Sequence, residues 1–136
     1  MKRIAVGAAA AFFLLATVLP GTALAHNFVA NTALSIHKVP GGVTNRGATV
    51  IVYGTLGSAR AFCRNNMVVK LMKVRPGADK LLAKDRTDGE GEYIFVRNPR
   101  RDQRVYTRFS GFLQTSYGHS HRCLASRSSS VRINVG

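Results

Sequence analysis

The residues best suited to chemistry are three of the four histidines, His26, His119 and His121. Imidazole nitrogens suit copper, nickel and zinc, and copper(II) prefers a tetragonal donor set. His119 and His121 stand at i and i+2, so their rings share one face if that segment is extended. His26 follows Ala23-Leu24-Ala25, a small-x-small sequence after which signal peptidases cut. Cleavage there gives His26 a free amine beside its own ring, a pair of nitrogens able to chelate copper(II). A His-x-His in a polar loop that is merely solvated accounts for the downstream pair equally well.

A second group is acidic. Asp85, Asp88, Glu90 and Glu92 fall within one short stretch, Asp-Arg-Thr-Asp-Gly-Glu-Gly-Glu. Calcium takes six to eight oxygens, and its loops carry a denser acidic rhythm than this. The stretch reads as a hairpin turn whose carboxylates offset Arg86 and Arg97. Its two glycines, Gly89 and Gly91, are expected to supply left-handed backbone angles. Neighbouring carboxylates on one turn do not straddle a scissile bond, and no Gly-x-Ser-x-Gly elbow is present. No enzyme is expected.

The third group is basic. Arg97, Arg100, Arg101 and Arg104 crowd a Pro-containing loop, with Tyr106 and Arg108 just beyond. Arginine forks grip phosphate or carboxylate in two places at once, and a tyrosine can stack on a sugar. A solvated loop that keeps the domain soluble uses the same residues.

The chain that positions these groups has 136 residues and a net charge of +14. A charged start at Lys2 and Arg3, an apolar run from Ile4 to Leu19 and the Ala23–Ala25 site read as a secretory signal peptide over 1–25. The run is short for a membrane span, and no later stretch is a candidate anchor. Cleavage leaves 26–136 as a single domain of 111 residues. Without Lys2 and Arg3 it carries 18 basic and 6 acidic side chains, hence +12. That field draws polyanions, and salt weakens the attraction. Export points away from nucleic acid, whose reading motifs are absent, and towards anionic cell-envelope polymers or polysaccharide.

Cys63 and Cys123 are the two cysteines. In an exported chain they are expected to pair, since neither lies in a Cys-x-x-Cys motif and two thiols make an incomplete zinc site. The rest of the pattern is short alternating runs: Leu34–Ile36, Ala48–Leu56, Met67–Val74, Lys80–Arg86, Glu92–Val96, Val105–Phe109 and Val131–Val135. Residues 26–31 read as a lead-in, and 111–121 as either a strand extension or a long loop. Gly54 inside the second run signals a bulge or a close backbone contact. Seven strands at roughly ten-residue spacing predict an all-β, seven-stranded Greek-key sandwich.

Three segments, Val52-Tyr53-Gly54-x-Leu56, Val69-x-Leu71 and Thr87-Asp88-Gly89-x-Gly91-x-Tyr93-x-Phe95, resemble the carboxypeptidase regulatory-like, or transthyretin-like, β-sandwich module. The resemblance spans 48–109. A basic, Cys-containing loop replaces that module's Gly-x-Pro-Val segment, which leaves a general immunoglobulin-like topology open. The resemblance implies an extracellular, non-catalytic module for adhesion, carbohydrate contact or spacing, of the kind found in small exported bacterial proteins. It carries no active site across. Separately, an amino-terminal histidine with a second histidine resembles the histidine brace of oxidative polysaccharide monooxygenases and β-sandwich copper carriers, although no other motif of either is present.

Together these observations predict a secreted binding or structural module without a cofactor, contacting anionic polymer through Arg97, Arg100, Arg101, Arg104 and Arg108. The alternative is a copper-binding protein using His26, His119 and His121.

Overall fold

The computed structural model describes residues 26–136, so the expected signal peptide lies outside the described residues. The described chain is all-β, with twelve strands in three sheets, one disulfide and a single 3₁₀ turn at Ala61–Cys63. The strands are β1 (Asn27–Ala30), β2 (Ala33–Leu34), β3 (His37–Val39), β4 (Val50–Gly57), β5 (Val68–Lys73) and β6 (Lys80–Arg86). They continue with β7 (Glu92–Arg97), β8 (Gln103–Phe109), β9 (Phe112–Ser116), β10 (His119–Cys123), β11 (Ser126–Arg127) and β12 (Val131–Ile133).

Strand β4 holds the first sheet together. It pairs with β2 and β3 along one edge and with β7 along the other. The second sheet runs β6–β5–β8, with β11 and β12 sharing the far edge of β8. Alternation turns Val50, Val52, Tyr93 and Phe95 of the first sheet towards Val69, Leu71, Val105 and Ile133 of the second, forming one buried cluster. Each aliphatic side chain so enclosed stabilises the fold by about 1.5–3 kcal/mol. A smaller cluster gathers Ala30, Leu56, Met67 and Phe109 around Cys63 and Cys123. It carries the third sheet, β1–β10–β9, in which β1 runs parallel to β10.

The edge strands break where a serine takes over a backbone position. Between β2 and β3, Ser35 Oγ accepts the Thr55 N–H at 2.9 Å, and between β11 and β12, Ser128 Oγ accepts the Thr107 N–H at 2.9 Å. Tyr93 ties the two breaks together. Its hydroxyl donates to the Ser35 carbonyl and lies 2.9 Å from Thr107 Oγ1. Burial pushes the Tyr93 phenol above its ordinary pKa, so the hydroxyl keeps its proton. Gly54 makes the close backbone approach that its position in a strand suggests, because a Cβ there would meet the Ser35 carbonyl and the Tyr93 hydroxyl.

Several expectations are corrected. The Thr87–Gly91 turn does not close a hairpin: β6 pairs with β5, and β7 with β4, so the turn arches from one sheet to the other. Only Gly91 of its two glycines takes a positive φ, at 83°. Thr87 builds the arch, its Oγ1 accepting the Met67 N–H at 2.9 Å and donating to the Arg64 carbonyl. The lead-in is strand β1, and 111–121, which reads as a strand extension or a loop, falls almost wholly within the β9–β10 hairpin. Twelve short strands in three sheets stand where seven were expected.

Candidate functional site

Antiparallel pairing brings four cations into one cross-strand row. Lys84 of β6 stands opposite Lys70 of β5, Lys70 opposite Arg108 of β8, and Arg108 opposite Arg127 of β11. Directly paired residues point to the same face of a sheet. Here it is the outer face, since the intervening positions Leu71 and Thr107 are fully buried. With strands ~4.8 Å apart, the row is roughly 14 Å long. Arg104, on the same face of β8, pairs with Arg132 of β12 and extends the positive surface.

Like charges placed opposite one another destabilise a sheet. Little offsets them here. Among the described residues one salt bridge forms, Arg132 to Asp102 at 3.4 Å, and it lies outside the row. Lys70 reaches Ser110 Oγ at 3.3 Å, and the Arg127 guanidinium lies 3.5 Å above the Tyr106 ring. Tyr106 in turn donates to Asp79 Oδ2 at 2.7 Å. That hydrogen bond, then the Arg75 N–H and the charges of Arg127 and Arg108, hold the Asp79 carboxyl below the usual range. The same bond raises the Tyr106 phenol.

The predicted arginines divide into three situations. Arg104 and Arg108 belong to this face. Arg100 and Arg101 are exposed in the loop before β8. Arg97 is half-buried on the inward-facing series of β7, where its Nη1 donates to the Leu82 carbonyl at 3.4 Å across the sheets. Lys70, Lys84 and Arg127 were missed because each is unremarkable alone, and strand register is what aligns them.

The acidic residues do a different job. Asp85 Oδ1 accepts the Arg86 N–H and Oδ2 the Ile94 N–H, each at 2.9 Å, and Asp88 Oδ1 accepts from the N–H groups of Glu90 and Glu92. These carboxylates satisfy main-chain donors rather than pairing with Arg86 and Arg97. With Ser35, His37, Tyr53 and Glu92 they border an open groove of about 670 Å³ on the β3–β4–β7 side.

The three predicted histidines do meet. The His26 main-chain N–H donates to His119 Nδ1 at 3.1 Å, and His26 Nε2 lies 3.2 Å from His121 Nε2. His121 stacks on Phe28, with ring centroids 4.3 Å apart, and faces the edge of Phe62. Among the described residues no three His, Cys, Asp or Glu side chains form a ready cage for a metal ion. The predicted disulfide is present, with Cys63 and Cys123 joined at 2.04 Å. No helix among the described residues is long and apolar enough to cross a membrane. No protein-family model matches the chain, and no curated protein matches it.

Proposed function

We propose that this protein is a secreted, non-catalytic β-sandwich module, released by cleavage after Ala25, that binds an anionic polymer of the cell envelope. The observation that carries this reading is the row Lys84–Lys70–Arg108–Arg127, none of whose members makes a salt bridge among the described residues, a repeated charge along a line that matches a chain of phosphates or carboxylates. The row moves the centre of the contact from the loop to the sheet, with Arg104 and Arg108 shared and with Arg100 and Arg101 at its margin.

The same reading assigns the frame to the immunoglobulin-like Greek keys. Counting β2 with β3 and β11 with β12 as single split strands leaves seven, in the orders β3–β4–β7 and β12–β8–β5–β6. Strands β1, β9 and β10 are then an addition beside that frame.

Retention on immobilised polyphosphate tests the binding. A basic side chain near an anionic surface contributes about 1 kcal/mol, so Lys70→Ala/Arg108→Ala should weaken retention roughly 30-fold. Arg100→Ala/Arg101→Ala should do less. Elution of the Lys70/Arg108 variant at the wild-type salt concentration would dismiss the sheet face as the binding surface.

A further inference from the structure

Spacing alone puts His119 and His121 on one face, and the fold supplies the third partner. β1 lies parallel to β10 with Asn27 opposite Ser120 and Phe28 opposite His121, so His26 falls beside His119. The Ser120 N–H donates to Asn27 Oδ1 at 2.9 Å and pins that register. On the other side of β10, His119 directly follows the Tyr117-Gly118 turn, whose residues both take positive φ, as a tight hairpin requires. His121 is held against Phe28 and Phe62. Phe62 sits in the 3₁₀ turn whose last residue, Cys63, is bonded to Cys123, two positions beyond His121.

The outcome is a set of nitrogens at close approach. The separations are 3.1 Å from His26 N to His119 Nδ1 and 3.2 Å from His26 Nε2 to His121 Nε2. Two nitrogens bound to one metal at about 2.0–2.1 Å, at angles between about 90° and 109°, stand roughly 2.9–3.4 Å apart. The first separation is that of neighbouring ligands, and the second shows that the His26 and His121 rings reach each other at the same corner. Among the described residues no carboxylate pairs with these rings. An all-nitrogen set disfavours calcium and magnesium, which take oxygen, and suits copper(II).

We infer that this corner of the third sheet binds one copper(II) ion through the amine and ring of His26 and the rings of His119 and His121. The site is assembled by processing. In the uncut chain the His26 nitrogen is an amide whose lone pair is delocalised, and the side chains alone make no cage. Hydrolysis of the Ala25–His26 bond by an export peptidase adds one water, leaving a carboxylate on Ala25 and an amine on His26. That amine and His26 Nδ1 close a six-membered chelate once the ring turns over from its present orientation, in which Nε2 faces His121. This function is separate from polymer binding, which uses another sheet and no amino-terminal nitrogen.

The test uses protein exported from the full-length gene, its start verified by mass as His26, with copper(II) alone added. One copper per chain and an electron paramagnetic resonance spectrum split by several nitrogens are expected. An amino-terminal histidine alone also chelates copper, so the downstream residues decide the matter. Loss of an outer partner of a metal ligand costs about 10–100-fold in affinity; His119→Ala and His121→Ala, which remove ligands, should cost at least as much. One alanine inserted before His26 should replace the spectrum by a different one, and His37→Ala should leave it unchanged. Oxidised Cys63–Cys123 and wild-type thermal unfolding verify that each variant is folded. Wild-type affinity in either downstream variant, an unchanged spectrum after the insertion, or an equal loss in His37→Ala would overturn the assignment.

Discussion

The cationic face and the histidine corner use basic residues in opposite ways. On the face, four side chains are spread over four strands, and what matters is their summed field. At the corner, His26 reaches His119 through its main-chain nitrogen and His121 through its ring, each at hydrogen-bonding distance, so individual atoms matter. A field tolerates the loss of one contributor and is screened by salt. A coordination set tolerates neither a missing donor nor a shifted one, yet is nearly indifferent to salt. One chain can thus hold two sites that respond to different perturbations, and their separation can be measured.

The largest separation should come from the disulfide. Cys63 and Cys123 are 60 residues apart in sequence and close the small cluster beneath the third sheet. Replacing both by alanine should lower stability by about 4 kcal/mol on the chain-entropy account. It also frees β10 from the turn that carries Phe62, so copper affinity should fall by more than the roughly 10–100-fold that losing an outer partner of a metal ligand costs. Polyphosphate retention, measured under conditions where the variant is still folded, should stay close to wild type, because β5, β6 and β8 pair without the disulfide. Equal losses at both sites would mean that the corner and the face form one cooperative unit.

Salt should divide them next. Raising ionic strength from about 0.1 M to 1 M shortens the screening length from about 10 Å to 3 Å. Retention on polyphosphate should fall by an order of magnitude or more, while copper stoichiometry and spectrum stay fixed. Retention that survives 1 M salt would show that the polymer is held by something other than the cationic row.

The sequence conveyed strand content well and site geometry unevenly, for physical reasons. Period-two alternation reports which face of a strand is buried, and so the runs containing Val50 and Val52, Val69 and Leu71, and Val105 lie in the core as expected. Pairing partners depend on contacts between residues far apart, which no local pattern encodes. That is why the Thr87–Gly91 arch resembled a hairpin, and why Lys70, Lys84 and Arg127 went unnoticed. β1 was obscured because Asn27–Ala30 is half-exposed and short, and its partner strand lies more than 90 residues away. The histidines were legible because their type is rare and their chemistry restricted, although their meeting depended on that same parallel pairing.

The smallest effect concerns Asp79, an acidic group built into the cationic face. Asp79 accepts the Tyr106 hydroxyl, which lies beneath Arg127, and that bond is the main reason its carboxyl ionises below the ordinary value of 3.8. A depressed carboxylate contributes stability that is present above the unfolded-state pKa and lost as pH falls through the folded one. The stability difference between wild type and Asp79→Asn should therefore be flat above about pH 4 and shrink below it. In the same variant the Tyr106 phenol, raised chiefly by Asp79, should ionise at lower pH, which the phenolate absorbance reports. Removing this negative charge from a positive face should strengthen polyphosphate retention slightly, with no change in the copper spectrum. Unchanged or weaker retention would mean that Asp79 serves the face chiefly by ordering Tyr106 and Arg127, so that the arrangement of the arginines outweighs their number.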